Sequence, residues 1–409
     1  MAKIIPFKAV RPTRDKVHLV ASRAFYSYKK NILSAKLESN PYSFIHIINP
    51  EFREDDRTKP NSTERFKKVR DKYQEFKKEG VLIQDESPAF YIYRQRGPEN
   101  SFTGIVAGAS IQDYLDKTIK VHEQTITARE QVFKKYLDVC GFNAEPVLLT
   151  YPDSKIIDEV FEKYYSERPE FEFATTDQVV HEIWPIVNKE DQNVISNEFE
   201  SFNSIYIADG HHRSSSSVLL GQDKTENEGE GLHNYFLSYI IPESQLKIYD
   251  FNRLALDLNG LSKEEFISKI EENFTVSKIE KSKPSKLHEF RMYLEKEWYK
   301  LEVKSSAFDS NSPVGNLDSS ILSENILAPI LNVTDLKTSD RISFVGGLEG
   351  MDALEQKVDE GKAKVAFALF PVSVEQLKHV ADTGSIMPPK STWIEPKLRS
   401  GLTIYEFKA

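Results

Sequence analysis

Within the run "IYIADGHHRSSSSVLL", residues Asp209 to Arg213 set a carboxylate, a glycine, two imidazoles and a guanidinium side by side. The residues on their N-terminal side read as a buried strand, and those on their C-terminal side read as a helix. At such a turn the first helical N–H groups have no partner inside the helix, and the macrodipole adds positive potential. Gly210 permits tight backbone geometry and close approach of a ligand. Arg213 offers a planar, bidentate fork for phosphate or carboxylate. His211 and His212 titrate near neutrality and can exchange hydrogen bonds with a transferring oxyanion. These are the parts of a phosphate cradle. Singly, Asp209 could cap the helix, Arg213 could bridge to a surface acid, and either histidine could satisfy a buried carbonyl. Their conjunction at one turn is what points to function. The four serines read as a solvated or packing face, with Ser214 able to donate to the same anion.

Other residues carry weaker signals. His122 and Glu123 flank a strand-to-helix connection, where they could line the same cleft or cap the helix. Asn252 and Arg253 follow a strand end, where sites of α/β proteins gather; a bond from Arg253 to a surface acid is the structural alternative. In "PPKSTW", two prolines stiffen a loop that carries the point charge of Lys390 and the hydroxyls of Ser391 and Thr392. Glu395, Lys397 and Arg399 come within a few residues of it. That combination suits a second anionic group, a distal phosphate or a substrate carboxylate, or else a salt-bridged C-terminal clamp.

Several chemistries are absent. His122 with Glu123, and His181 with Glu182, begin a zinc-protease pattern, but Ile126 and Pro185 occupy the second histidine position. No P-loop or G-x-S-x-G elbow occurs, and Gly346 to Gly350 lack the G-x-G-x-x-G register. Cys140 is the sole cysteine of 409 residues, so an intramolecular disulfide and a cysteine-based metal cluster are excluded. The formal net charge of -9 supplies no positive field toward duplex DNA or anionic membranes, so neither is expected as a partner. With no long apolar segment and no secretory h-region, a cytoplasmic protein is expected.

The elements that must position these groups alternate between strand and helix. A charged loop begins at Pro50; Ser62 and its neighbours then offer caps for a helix ending near Gly80. A strand is expected over 101–111, helices over 127–140 and 154–168, and a strand over 144–153 between them. The periodicity predicts a short helix after Asp209 ended by Gly221, a solvated acidic loop over 222–231, and a continuous apolar strand over 234–241. The last hundred residues resume the alternation, with a capping box at Ser373 and Gln376. The expected architecture is mixed α/β or α+β in two lobes, 1–250 and 251–409.

The motifs "YIADGHHR", "KVHEQT", "NPYSFIHIINP", "DFNRLALDLNG" and "MPPKSTWIEPKLRSGL" together resemble the signature set of the bacterial and archaeal DUF1015 family, a domain of unknown function. The resemblance spans nearly the whole chain. That family's D-G-H-H-R in turn resembles the G-x-x-R anion-binding turn of the ParB/sulfiredoxin superfamily, in which members bind nucleotide phosphates and one branch phosphorylates free serine. The resemblance implies a ParB/sulfiredoxin-like core with large insertions, completed by a second α/β lobe. It makes Asp209, Gly210, His211, His212 and Arg213 the phosphate-binding and catalytic strip. Asp209 would hold Mg²⁺ or activate an attacking hydroxyl. Many relatives carry an apolar-Pro-Pro-Tyr-Asp run near the N-terminus where this chain reads Ala21 to Tyr28, so no role is carried over from that segment.

The function expected is a nucleotide-dependent phosphotransferase, using ATP or ADP with Mg²⁺, that acts on a hydroxy- or phospho-amino acid such as serine or phosphoserine, in either direction. In that scheme Glu123 joins the catalytic strip, and Ser214, Lys390, Ser391 and Thr392 bind phosphate. His122, Arg253, Lys397 and Arg399 hold the small-molecule substrate. A homodimer is compatible with the sequence. A nucleotide-sensing or nucleic-acid-binding regulator and a non-catalytic metabolite-binding protein are the rival classes.

Overall fold

The computed structural model describes residues 1–52 and 57–408. Positions 53–56, inside the segment expected to be a charged loop, lie outside them. The fold is mixed α/β, and it divides into two compact units. The first takes residues 1–120, 125–246 and 396–409, and the second takes 121–124 and 247–395. Residues 396–409, expected from sequence in the C-terminal lobe, thus cluster with the first unit.

The first unit is built on a nine-stranded sheet. Its path runs Ile119–Lys120, Ile205–Asp209, Val147–Tyr151, Tyr235–Pro242, Ser101–Ser110, Phe90–Arg96, Val180–Ile186, Phe171–Ala174, with Ile4–Ile5 also pairing Ser101–Ser110. Pairing is antiparallel except at Ile205–Asp209 with Ile119–Lys120 and at Val147–Tyr151 with Tyr235–Pro242. The central strands are apolar or small at nearly every position and buried, as strands covered on both faces require. Side-chain oxygens cap the helices Thr63–Lys78, Lys155–Tyr165 and Lys189–Ser201, through Ser62, Ser154 and Asn188. Each satisfies a donor that would otherwise be orphaned.

One helix differs from the sequence reading. His211–Glu228 does not stop at Gly221 but continues through it and over the stretch expected to be an acidic loop. Packing is the reason. A Cβ at position 221 would lie 2.4 Å from the Ile111 side chain and 2.6 Å from the His233 carbonyl, so glycine provides clearance here. The serines serve the same end. Ser214 to Ser217 are buried, and each hydroxyl donates to a carbonyl three or four residues back in its own helix. They form a small packing face, as one of the two sequence readings has it, and the Ser214 hydroxyl donates to the His211 carbonyl at 3.0 Å.

The second unit holds a six-stranded antiparallel sheet, in the order Phe274–Ile279, Glu297–Val303, Glu289–Leu294, Val365–Ala368, Phe251–Ala255, Ile342–Gly346. Strand alternation separates two apolar layers. Leu254, Tyr293, Val345 and Ala366 pack with Leu354 of the helix Gly350–Asp359. On the other face Ala255, Met292, Leu294 and Phe367 pack with Ile321, Leu322, Ile326 and Leu327. The capping box at Ser373 and Gln376 forms as its spacing indicates.

Asp318 opens the helix Asp318–Leu322 and is buried, accepting the His288 N–H at 2.9 Å. Burial pushes its carboxyl up to about 7. The folded state therefore holds this proton more tightly than the unfolded chain, and stability falls as pH rises from about 4 to about 7, by on the order of 4 kcal/mol at most. Asp318→Asn is expected to raise the melting temperature, and to raise it more at pH 8 than at pH 5. Melting curves of both proteins at the two pH values check this; an equal shift at both would refute a titrating Asp318.

Candidate functional site

The strand Ile205–Asp209 delivers the D-G-H-H-R run to the end of the sheet, with a register shift between Ile207 and Asp209 where it pairs with Val147–Tyr151. Such bulges re-aim side chains. Gly210 comes next at φ +102° and caps the 18-residue helix His211–Glu228 without a side-chain acceptor. Only glycine adopts that conformation without strain, and a Cβ there would meet the Arg213 guanidinium at 2.9 Å. The Arg213 and Ser214 N–H groups close onto the Gly210 carbonyl at 2.8 and 3.0 Å, and the positive end of the helix dipole faces the turn.

Arg213 folds back over Gly210 between two carboxylates. Its Nη2 donates to Asp209 Oδ2 at 2.8 Å and its Nη1 to Glu145 Oε2 at 3.3 Å. The Arg213 side chain is 25% exposed, against 48% for Asp209 and 36% for Glu145. Ion pairs this wet contribute about 0–1 kcal/mol. They hold the guanidinium in place but are weak enough for a phosphate, which takes the same fork bidentately, to compete. His212 is half-buried beside them and His211 is buried.

Glu145 is a site residue that no sequence motif marks, and strand pairing explains its presence. Val147–Tyr151 runs antiparallel to Ile205–Asp209, with Leu148 opposite Asp209, so the residues just before Val147 stand at the sheet end where Gly210 turns. The C-terminal segment joins at the same place. Ser400 bridges to Ser22, the Gly401 N–H donates to the Ala144 carbonyl at 3.3 Å, and Ser400 Oγ donates to Glu145 Oε1 at 2.8 Å. Arg399, next in the chain, is buried and grips Asp177 through Nη2, 2.8 Å from Oδ1 and 2.6 Å from Oδ2. Arg23 also pairs with Asp177, and despite burial a hydrogen bond from Thr175, with the two arginines, holds that carboxyl well below the usual range.

His181 lies behind this pair, its Nδ1 2.8 Å from the Tyr93 hydroxyl. Burial, reinforced by the positive charge of Arg399, pushes the imidazole down to about 3, so it is neutral at physiological pH. Arg399 thus stands in a network braced by Asp177, not as a free cation. Among the expected substrate-binding residues, Lys397 is exposed in the same unit.

The remaining expected residues belong to the second unit. His122 is buried, and its carbonyl accepts the Met387 N–H at 2.8 Å, while Glu123 is exposed. Ser391 is buried, its hydroxyl donating to the Pro388 carbonyl and pairing with Ser319 Oγ, each at 2.8 Å. Thr392 is half-buried and Lys390 is exposed. Arg253 is wholly buried and, among the described residues, bonds no surface acid, contrary to the structural alternative for it.

A glycine-capped strand-to-helix turn carrying a braced arginine at a sheet end is the candidate site of this mixed α/β protein. The chain belongs to the family described as protein of unknown function (DUF1015), whose model matches residues 4–320. None of the curated proteins compared with it matches. Among solved structures it is similar to C-terminally truncated SbnI from Staphylococcus aureus, at 12% identity and TM-score 0.41, over 73% of this chain and 87% of that one. It is also similar to a free serine kinase in complex with AMP, at 12% identity and TM-score 0.36, over 70% and 89% of the two chains. A conserved hypothetical protein from Pyrococcus furiosus is similar at 14% identity and TM-score 0.33, over 70% and 91%. No helix among the described residues is long and apolar enough to cross a membrane.

Proposed function

We propose that this protein is a nucleotide-dependent small-molecule phosphotransferase whose phosphate site is the turn Asp209 to Arg213. The observation that carries the reading is the Arg213 guanidinium, held over the glycine-capped helix N-terminus at Gly210 by two part-exposed carboxylates. Phosphoryl transfer is mostly positioning plus charge stabilisation, and this turn has parts for both. Helix amides and Arg213 would take the phosphate oxygens, and His212 stands beside them to donate.

The charge balance bears on the metal. Asp209, Glu145 and Arg213 sum to one negative charge, which would repel a polyphosphate. Two hard oxygen donors beside a phosphate site suit Mg²⁺, which takes one or two carboxylates and completes its shell from the substrate and water. Asp209 and Glu145 would hold it, and the ion would spread the charge of the phosphoryl oxygens. Asp209 is alternatively the base for an acceptor hydroxyl, being half-exposed at the turn.

The acceptor we favour is the hydroxyl of a free amino acid, serine first, as the resemblance to the ParB/sulfiredoxin superfamily implies; phosphoserine is the corresponding substrate in reverse. The test is a screen of phosphate transfer and release over ATP and ADP with serine, threonine and phosphoserine, with and without Mg²⁺. Metal-dependent formation of a phosphorylated amino acid is expected. Nucleotide binding without turnover of any of these would leave a metabolite-binding protein instead.

A further inference from the structure

The second unit carries an unexplained buried charge. Arg253 sits in the middle of the strand Phe251–Ala255, opposite Phe344 on one side and Phe367 on the other, with Met292 next in the same row. That row belongs to the apolar layer covered by Ile321 and Leu322. The side chain has no solvent exposure. Its Nη1 donates to the Phe251 carbonyl and its guanidinium lies 5.4 Å from the Phe344 ring centre, while Nε and Nη2 have no hydrogen-bond partner among the described residues. Burial lowers the group only to about 9, so it stays cationic at neutral pH. A buried, unneutralised guanidinium is among the most unfavourable groups a core can hold, and it requires a reason.

The two idle nitrogens supply one. Nε–H and Nη2–H lie on one edge of the guanidinium and match the two oxygens of a planar carboxylate. A single charge in an apolar, aromatic setting is neutralised by a monoanion, whereas a phosphate dianion would leave net charge buried. We infer that Arg253 is the anchor of a second ligand site, one that takes the carboxylate of a small molecule with an apolar body. The loop Pro388–Ser391 borders this strand. Lys390 has the left-handed φ of +60° and rests its ammonium 5.4 Å from the Phe251 ring centre, and Ser391 pins the loop to Ser319. Strained, non-glycine backbone of this kind gathers at ligand clamps. The site lies wholly in the second unit and is independent of the phosphotransfer reading.

Full-length protein titrated with sodium benzoate at constant ionic strength and followed by thermal melting provides the test. The wild type should show a saturable rise, about 5 °C at a hundredfold excess over Kd. Arg253→Met should show none, and should melt no lower than wild type without benzoate, because it removes an unpaired charge. Arg253→Lys keeps the charge but loses the fork and should bind about tenfold or more weakly; it decides the matter if the methionine variant does not fold. Arg213→Ala should keep the response, separating this site from the phosphate turn. A wild type blind to benzoate, a response retained by Arg253→Met or undiminished in Arg253→Lys, a response lost in Arg213→Ala, or an equal shift with inorganic phosphate would each overturn the inference.

Discussion

Arg213→Met is expected to lower kcat/KM for phosphoryl transfer by about 10²–10³-fold, roughly 3–4 kcal/mol of transition-state stabilisation. The loss should appear in nucleotide affinity as well as in turnover, because the guanidinium would contact phosphate oxygens in both states. Folding stability should hardly change. The pairs with Asp209 and Glu145 are part-exposed, and such pairs are worth about 0–1 kcal/mol. Methionine keeps much of the aliphatic volume lying over Gly210. Steady-state kinetics and nucleotide titrations of the two proteins check the result, with thermal melting as the control. Activity within a factor of about three of wild type would remove Arg213, and with it the site at 209–213.

Asp209→Asn should act differently, which makes the pair diagnostic. An amide cannot accept the proton of an attacking hydroxyl and is a poor Mg²⁺ ligand, so kcat is expected to fall by about 10²–10⁴-fold. Nucleotide binding in the absence of metal should hold or tighten, since a negative charge beside the phosphates has gone. A fall in kcat with metal-free nucleotide Kd unchanged or lower is therefore the expected signature. An equal loss in both variants, through affinity alone, would make Asp209 a brace for Arg213 and not a participant in the chemistry.

The parts of this protein that are legible from its residues are those governed by near neighbours. Ser62, Ser373 and Gln376 cap helices where their spacing says they should, because a cap is a bond across three residues. Gly210 at the strand-to-helix turn is of the same kind: the left-handed backbone and the missing side-chain cap are local matters. Gly221 shows the limit. By local rules it ends a helix, yet the helix runs on to Glu228, since what decides the residue is the distance to Ile111 and His233. Arg253 shows it again. Its place behind Asp250, Phe251 and Asn252 suggests a strand end, whereas sheet pairing sets it mid-strand between Phe344 and Phe367 on a covered face.

The acidic half of the candidate site is hidden from sequence for a related reason. Glu145 and Asp177 carry no motif, and each reaches its arginine only through contacts between segments far apart in the chain. By itself, then, the amino-acid sequence determined the mixed α/β elements, their caps and the conjunction of groups at 209–213, all of which depend on hydrogen bonds and periodicities a few residues long. Only the tertiary structure decided that Arg213 is braced by two carboxylates, that Arg399 is committed to Asp177, and that Arg253 is buried without a counter-charge among the described residues. Those outcomes depend on strand order and packing distance, which the pattern of any one segment does not contain.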